Sequence, residues 1–122
     1  MSVRLTPEKW ESIMADYVSS AVQRKEQLGL DYVDIAEEVT EYNVSALAKA
    51  LKSQGITQFT NSYFGLATAG ELLRKMADLR ENGFAAKMEI LIPDYTYNHN
   101  HGISNDAPDA FKKRALLFEQ IS

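Results

Sequence analysis

Cysteine is missing from this sequence altogether. That removes thiolate nucleophiles, thiolate metal ligands and disulfide staples, and it suits a reducing compartment. No apolar run approaches the roughly 18 residues that a membrane-spanning helix needs, and no signal-peptide pattern precedes Trp10, so the expected address is the cytoplasm, with no membrane partner. A basic surplus is missing too: 13 lysines and arginines stand against 17 acids, a formal charge of -4. Long nucleic acids are held by broad basic surfaces, so a general polyphosphate binder is disfavoured, whereas a small anion needs only a few cations. Glycine-rich phosphate cradles, a G-x-G-x-x-G turn and an H-E-x-x-H helix are also lacking.

What remains is ordinary for a globular chain: 122 residues, 45% hydrophobic and 25% charged. Scaling places such a chain in one domain, 1–122, with a core large enough to do without staples. Thr6-Pro7-Glu8 combines an N-cap, a proline at the first helical position and an acid at the positive helix end. Trp10, Ile13, Met14, Tyr17, Val18, Ala21 and Val22 then recur at helical spacing, and Gly29 stands where a left-handed cap belongs. Arg24 and Lys25 fall close to the apolar stripe, so their stems pack while their heads reach water, or else they serve an anion or a partner at the rim. Asp31 to Gln54 carries Val33, Ala36, Val39, Leu47, Ala50 and Leu51 and reads as a second helical stretch, interrupted near Tyr42-Asn43. The two helices would form a hairpin occupying a helical half, 1–55.

The second half, 56–122, changes character. Ile56 to Thr60 alternates and is β-branched; Asn61 and Ser62 then supply a turn and an N-cap for a helix through Leu66, Ala69, Leu72, Leu73, Met76 and Leu79, closed by Asn82-Gly83. Phe84 to Ile92 is a strand whose even-numbered residues share one face. The tail, Phe111 to Ile121, fits either helix or strand. A strand is the better choice, because a two-stranded sheet is uncomfortable and a third strand pairing back on Phe84–Ile92 completes it. The expected fold class is α+β: an N-terminal helical hairpin followed by a β-α-β-β unit with a small sheet, its crossover right-handed.

Three stretches offer chemistry. Thr60-Asn61-Ser62-Tyr63 lies between a strand and a helix start, where exposed amides favour an anion, although Asn and Ser there are also common caps. Asp94 to Asp106 holds both histidines. Extended, His99 and His101 would point the same way and, with Asp94 or Asp106, offer zinc its nitrogen and oxygen ligands. The spacing is common by chance, no third histidine is present, and no nucleophile accompanies them to suggest a reaction. Tyr95, Tyr97, Asn98, Asn100 and Asn105 suit recognition better, with a plain solvated connection as the simplest reading. In Lys112-Lys113-Arg114, alternation sends Lys113 and Arg114 to opposite faces, so one of them needs an anionic partner, either a carboxylate of this chain or a ligand phosphate.

The order of parts resembles one family: small phage and prophage proteins that counter the bacterial Thoeris defence by sequestering its nucleotide signal. The resemblance rests on an N-terminal helical pair, F-T-N-S at Phe59 to Ser62, a helix closing in N-G-F at Asn82 to Phe84, a strand, a polar loop, and R-A-L-L-F at Arg114 to Phe118. It implies a non-enzymatic sponge without cofactor or metal. Its homo-oligomers, at least dimers, would hold cyclic ADP-ribose derivatives, and in some members cyclic oligonucleotides, in shared pockets. It further implies that Arg24, Phe84, Asn98 and Arg114 contact the ligand; the loop is longer than the family pattern suggests, which opens the place of Asn98 to Tyr97, His99 or Asn100. The alternative from another class is a small phage or mobile-element inhibitor that acts by protein–protein interaction.

Overall fold

The computed structural model describes residues 5–62 and 68–122. Helix α1 runs Pro7–Leu28, opened by the Thr6 hydroxyl accepting from the Lys9 amide and closed by Gly29, whose φ of 64° an L side chain adopts only with strain. Strand β1, Val33–Ile35, comes next. Helix α2 is Val44–Ser53, β2 is Gln58–Asn61 and α3 is Ala69–Glu81. The chain ends with β3 at Phe84–Pro93, the short helix α4 at Tyr95–Asn100 and β4 at Lys112–Gln120. Four strands form one sheet in the order β1-β2-β4-β3, with β1 parallel to β2 and β4 antiparallel to both β2 and β3. The architecture is α+β, and the tail is a strand.

The helical stretch expected from Asp31 to Gln54 needs correction. Val33-Asp34-Ile35 is a strand, paired with Phe59, Thr60 and Asn61, and the helix begins only at Val44. Between them the Asn43 side chain accepts from the Thr40 amide and donates to the Glu38 carbonyl, a local bonding pattern that competes with helix. The α1–α2 pair is therefore interrupted by a strand, and the sheet has four members rather than three. Ser62 does not cap α3; Thr68 does, accepting from the Glu71 amide. The expected helical positions at Leu66, and Tyr63 with them, lie outside the described residues.

Phe59 holds the core. It stacks on Phe118 at 5.1 Å and meets the edge of Phe84 at 5.3 Å, while Val18 of α1, Leu47 and Leu51 of α2 and Leu79 of α3 are buried in the same cluster. Each such side chain contributes roughly 1.5–3 kcal/mol of burial. The single face expected for β3 is also corrected. Ala86 pairs with Phe118 but Met88 pairs with Leu117, so Lys87 is an extra residue. This bulge exchanges the faces. Phe84 and Ala86 share the core side with Phe118, whereas Met88, Ile90 and Ile92 share the opposite side with Leu117, Ala115 and Lys113. Because Asn61 is level with Leu116 and Leu116 with Glu89, the β3–β4 ribbon continues past the ends of β1 and β2 as an arm. That arm carries the polar segment to the body.

Candidate functional site

Asp34 is the centre of a buried polar cluster. It sits between two β-branched residues in a three-residue strand, only 1% exposed, and its side chain falls on the sheet face opposite the phenylalanines. A carboxylate there needs donors, and the neighbouring elements bring them. Thr60 donates to Oδ1 at 2.8 Å; Ser62 and Tyr95 donate to Oδ2 at 3.0 and 2.6 Å. Lys113 Nζ lies 3.6 Å from Oδ2. One acid thus ties β1 to β2, to α4 and to β4. The basic run resolves the same way: Lys113 supplies the ion pair to a buried acid of this chain, and Arg114 points to the other face.

Tyr95 lies against two cations, with Lys113 Nζ 4.1 Å and the Arg24 guanidinium 5.1 Å from the ring centroid. The ring's negative face offsets part of their desolvation. Arg24 also donates through Nη2 to the Asp34 carbonyl, while its Nε is buried without a hydrogen-bond partner among the described residues. Burial, and then the bond to the Asp34 carboxylate, hold the Tyr95 hydroxyl well above its ordinary value of 10.0. The fold keeps a proton that the unfolded chain releases, so this contribution is complete below about pH 10 and is lost as the pH rises further. Tyr95→Phe is expected to lose about 1.5–3 kcal/mol at neutral pH, the worth of a hydrogen bond to a charged group. Between about pH 9 and about pH 11 it should then lose less stability than the wild type. Urea melts at the two pH values check this; parallel losses in the two proteins would contradict it.

In the stretch Thr60 to Tyr63, expected to receive an anion, the side chains of Thr60, Asn61 and Ser62 are committed elsewhere, and Tyr63 lies outside the described residues. The hydroxyls of Thr60 and Ser62 point into Asp34, and Asn61, fully buried, donates to the carbonyls of Ile35 and Glu37 and accepts from Lys75 Nζ at 3.0 Å. Lys75 is itself 4% exposed, and desolvation lowers its pKa. The centre of this region is an anion already, which repels a second one.

The structure separates the four residues singled out by the resemblance. Arg24 reaches the Asp34 cluster. Asn98 is buried in α4, where its amide donates to Asn105 and to the Phe111 carbonyl and accepts from the Phe111 amide. It clasps the two ends of the loop. Phe84 is 0% exposed, closed in by Phe59 and by Lys52, whose Nζ lies 5.8 Å from its ring. Arg114 is mostly exposed and makes a two-pronged pair with Glu89 at 2.7 and 3.2 Å. It stands six residues from the partner of Phe84 along β4, roughly 20 Å at strand rise. Within one copy the two positions are far apart along β4, and Phe84 is closed in the core.

The polar segment forms α4, Tyr95–Asn100, so the extended geometry that would point His99 and His101 the same way is not adopted. His101 stacks on Tyr97 at 3.9 Å, and His99 lines an open cleft of about 600 Å³ between the end of α1 and the segment after β3, together with Gln27, Tyr95, Ser104, Asn105 and Asp106. Among the described residues no group of three His, Cys, Asp or Glu side chains could hold a metal ion, and no helix is long and apolar enough to cross a membrane. Asp34 escaped the sequence reading. The available signal was an acid flanked by Val33 and Ile35, which in a strand must face a different side from its neighbours. No protein-family model, curated protein or solved structure matches this chain.

Proposed function

We propose that this chain is a non-catalytic binding protein that sequesters a small cyclic nucleotide, a cyclic ADP-ribose derivative or a cyclic oligonucleotide, as the Thoeris-countering phage proteins it resembles do. It would act in the cytoplasm of an infected host. The observation that carries the reading is the cleft beside α4: about 600 Å³, bordered by amide, imidazole and carboxylate groups. That volume is within the roughly 300–1,000 Å³ of small-ligand sites, and such groups suit ribose hydroxyls and base edges. Among the described residues the same lining includes Asp31 and Asp106 and no lysine or arginine, so a second copy would bring the cations that phosphates need. Arg114 is suited to that task. It lies on the arm beyond the ends of β1 and β2, and its exposed two-pronged pair with Glu89 shows the fork geometry that a phosphate would take in the carboxylate's place.

On this reading the protein is at least a dimer and releases its ligand unchanged. Incubation with a cyclic ADP-ribose derivative should raise the melting temperature, by a stabilisation of about 4 kcal/mol at a thousandfold excess over Kd. Heating should then return the nucleotide intact, and linear ADP-ribose should stabilise less. Arg114→Ala should weaken binding by about 1.5–3 kcal/mol in calorimetry. Cleaved nucleotide in amounts exceeding the protein would make it an enzyme and end the proposal.

A second reading draws on β3, an edge strand with Met88 57% and Leu91 63% exposed on its two sides. An apolar edge can add a strand from another protein, as an inhibitor acting by protein contact would require. Light scattering at micromolar concentration separates the two: a nucleotide-indifferent monomer favours this alternative.

A further inference from the structure

The sheet has two edges, and α1 closes the one at β1. There Arg24 donates to the Asp34 carbonyl and the Tyr17 hydroxyl accepts from the Ala36 amide at 2.8 Å. At the other edge, β3, the backbone direction follows from the register. The Asp94 amide donates to the Phe111 carbonyl, one position beyond the pair Pro93–Lys112, so Asp94 turns its backbone toward β4. Direction alternates along an antiparallel strand, so Ile92, Ile90 and Met88 turn toward β4 as well, while Pro93, Leu91 and Glu89 turn away. The other end of β3 agrees: the Gly83 carbonyl accepts from the Ile121 amide, and the extra residue Lys87 shifts the phase so that Met88 turns inward. Glu89 and Leu91 therefore present amides and carbonyls outward, and no described residue bonds them. Charge, bulges and proline are the usual protections of such an edge. Here Lys87 and Pro93 protect the ends and leave the run between them open, with Met88 and Leu91 more than half exposed.

That run is complementary to itself. Pair it antiparallel with a second copy about a two-fold axis at Ile90, and Glu89 faces the partner's Leu91 while Leu91 faces the partner's Glu89. Each of these pairs exchanges both its hydrogen bonds, so every outward amide and carbonyl of the two residues is met. An axis at Glu89 would set two like charges side by side, and an axis at Leu91 would set Glu89 against the partner's Pro93, which has no amide to give. Side chains agree with the Ile90 axis. On one face Met88, Ile90 and Ile92 meet the partner's Ile92, Ile90 and Met88, an unbroken apolar patch. On the other, Leu91 stands between Arg114 of its own copy and the partner's Glu89, so opposite charges flank it.

We propose that β3 joins β3 of a second copy in antiparallel register about Ile90, so that one continuous sheet runs through the dimer. The surface and its register go beyond the nucleotide reading, which calls for a second copy without saying where it sits, and the pairing needs no ligand.

The sequence has no cysteine, so a single introduced one reports the axis. At the axis Ile90 faces the partner's Ile90 in a pair that exchanges no hydrogen bonds, with Cα atoms about 4.5 Å apart, inside the roughly 4.4–6.8 Å that a disulfide spans. Met88 is about 13 Å along the strand from the partner's Met88. Under mild oxidation of the full chain at micromolar concentration, Ile90→Cys should therefore give a disulfide-linked dimer and Met88→Cys should not. Leu91→Pro removes an outward amide and no bond to β4, a place where an edge strand tolerates proline, and should turn the wild-type dimer into a folded monomer by light scattering. The Glu89 amide should exchange with solvent at least roughly tenfold more slowly in the wild type than in that variant. If Leu91→Pro fails to fold, the two cysteine variants, which keep the backbone, decide the matter. Equal crosslinking of the two, a wild-type monomer, or a dimer that persists in folded Leu91→Pro overturns the proposal. If the wild type is a dimer that Ile90→Cys does not crosslink, the β3 joint fails while the sequestering function, which needs only some second copy, stands. If the joint is found and no cyclic ADP-ribose derivative raises the melting temperature, the joint stands and the sequestering function falls.

Discussion

Asp34→Ala is expected to destabilise the protein by about 3–5 kcal/mol, the usual consequence of removing one partner from a buried charged pair. The carboxylate is 1% exposed and collects the hydroxyls of Thr60, Ser62 and Tyr95 and the ammonium of Lys113. Alanine leaves all of these in a site closed to water. The loss is large beside the 5–15 kcal/mol that typically hold a domain together. Asp34→Asn, which keeps the shape and one acceptor oxygen, should cost less. Because the cluster joins the arm to the body, hydrogen exchange should rise first in α4 and at the start of β4, before the phenylalanine core opens. Urea denaturation combined with exchange measurements checks both statements. A loss below about 1 kcal/mol would mean that the cluster has no net worth, as some buried ion pairs have none.

How much of this was legible beforehand depends on whether local chemistry or tertiary pairing decided the element. Helix α1 was legible at both ends, because Thr6, Pro7 and Gly29 act on their own backbone. Strand β4 was legible through the pairing it had to supply. Strand β1 was not: three residues give no period to count, and Val33 and Ile35 fit a helical stripe as well as a strand until Phe59–Asn61 arrives to pair with them. The faces of β3 were misread because one extra residue, Lys87, inverts the alternation, and a bulge among Ala, Lys and Met leaves no glycine to mark it.

The candidate site divides in the same way. Residue types that favour recognition were visible in the segment from Asp94 to Asp106, but which of them face outward depends on α4 closing back through Asn98. An asparagine with every group bonded inside its own loop is indistinguishable in sequence from one that waits for a ligand. Lys113 and Arg114 were correctly sent to opposite faces by alternation. Alternation carries no information on which face hides an acid, since Asp34 lies 79 positions earlier than Lys113 and two strands away.

Phe84→Ala is expected to cost about 3–5 kcal/mol of stability, the range for truncating a buried phenylalanine, without a specific effect on nucleotide affinity. The ring is 0% exposed and fills space against Phe59, so its removal leaves a cavity in the centre of the sheet's helix-covered side. This separates the structure from the resemblance, which gives the same position a stacking plane for the ligand. Alanine alone cannot decide between them, because a chain destabilised that far binds poorly for lack of folded molecules. Phe84→Leu can: it gives up three carbons instead of the whole ring, so it should cost clearly less than alanine, keep most of the core filled and remove the aromatic face. Calorimetry with a cyclic ADP-ribose derivative should give Phe84→Leu the wild-type affinity, while urea melts show Phe84→Ala far less stable than either. If folded Phe84→Leu instead binds roughly tenfold more weakly or worse, a difference of about 1.4 kcal/mol, the ring reaches the ligand after all. The core around Phe59 must then open on binding.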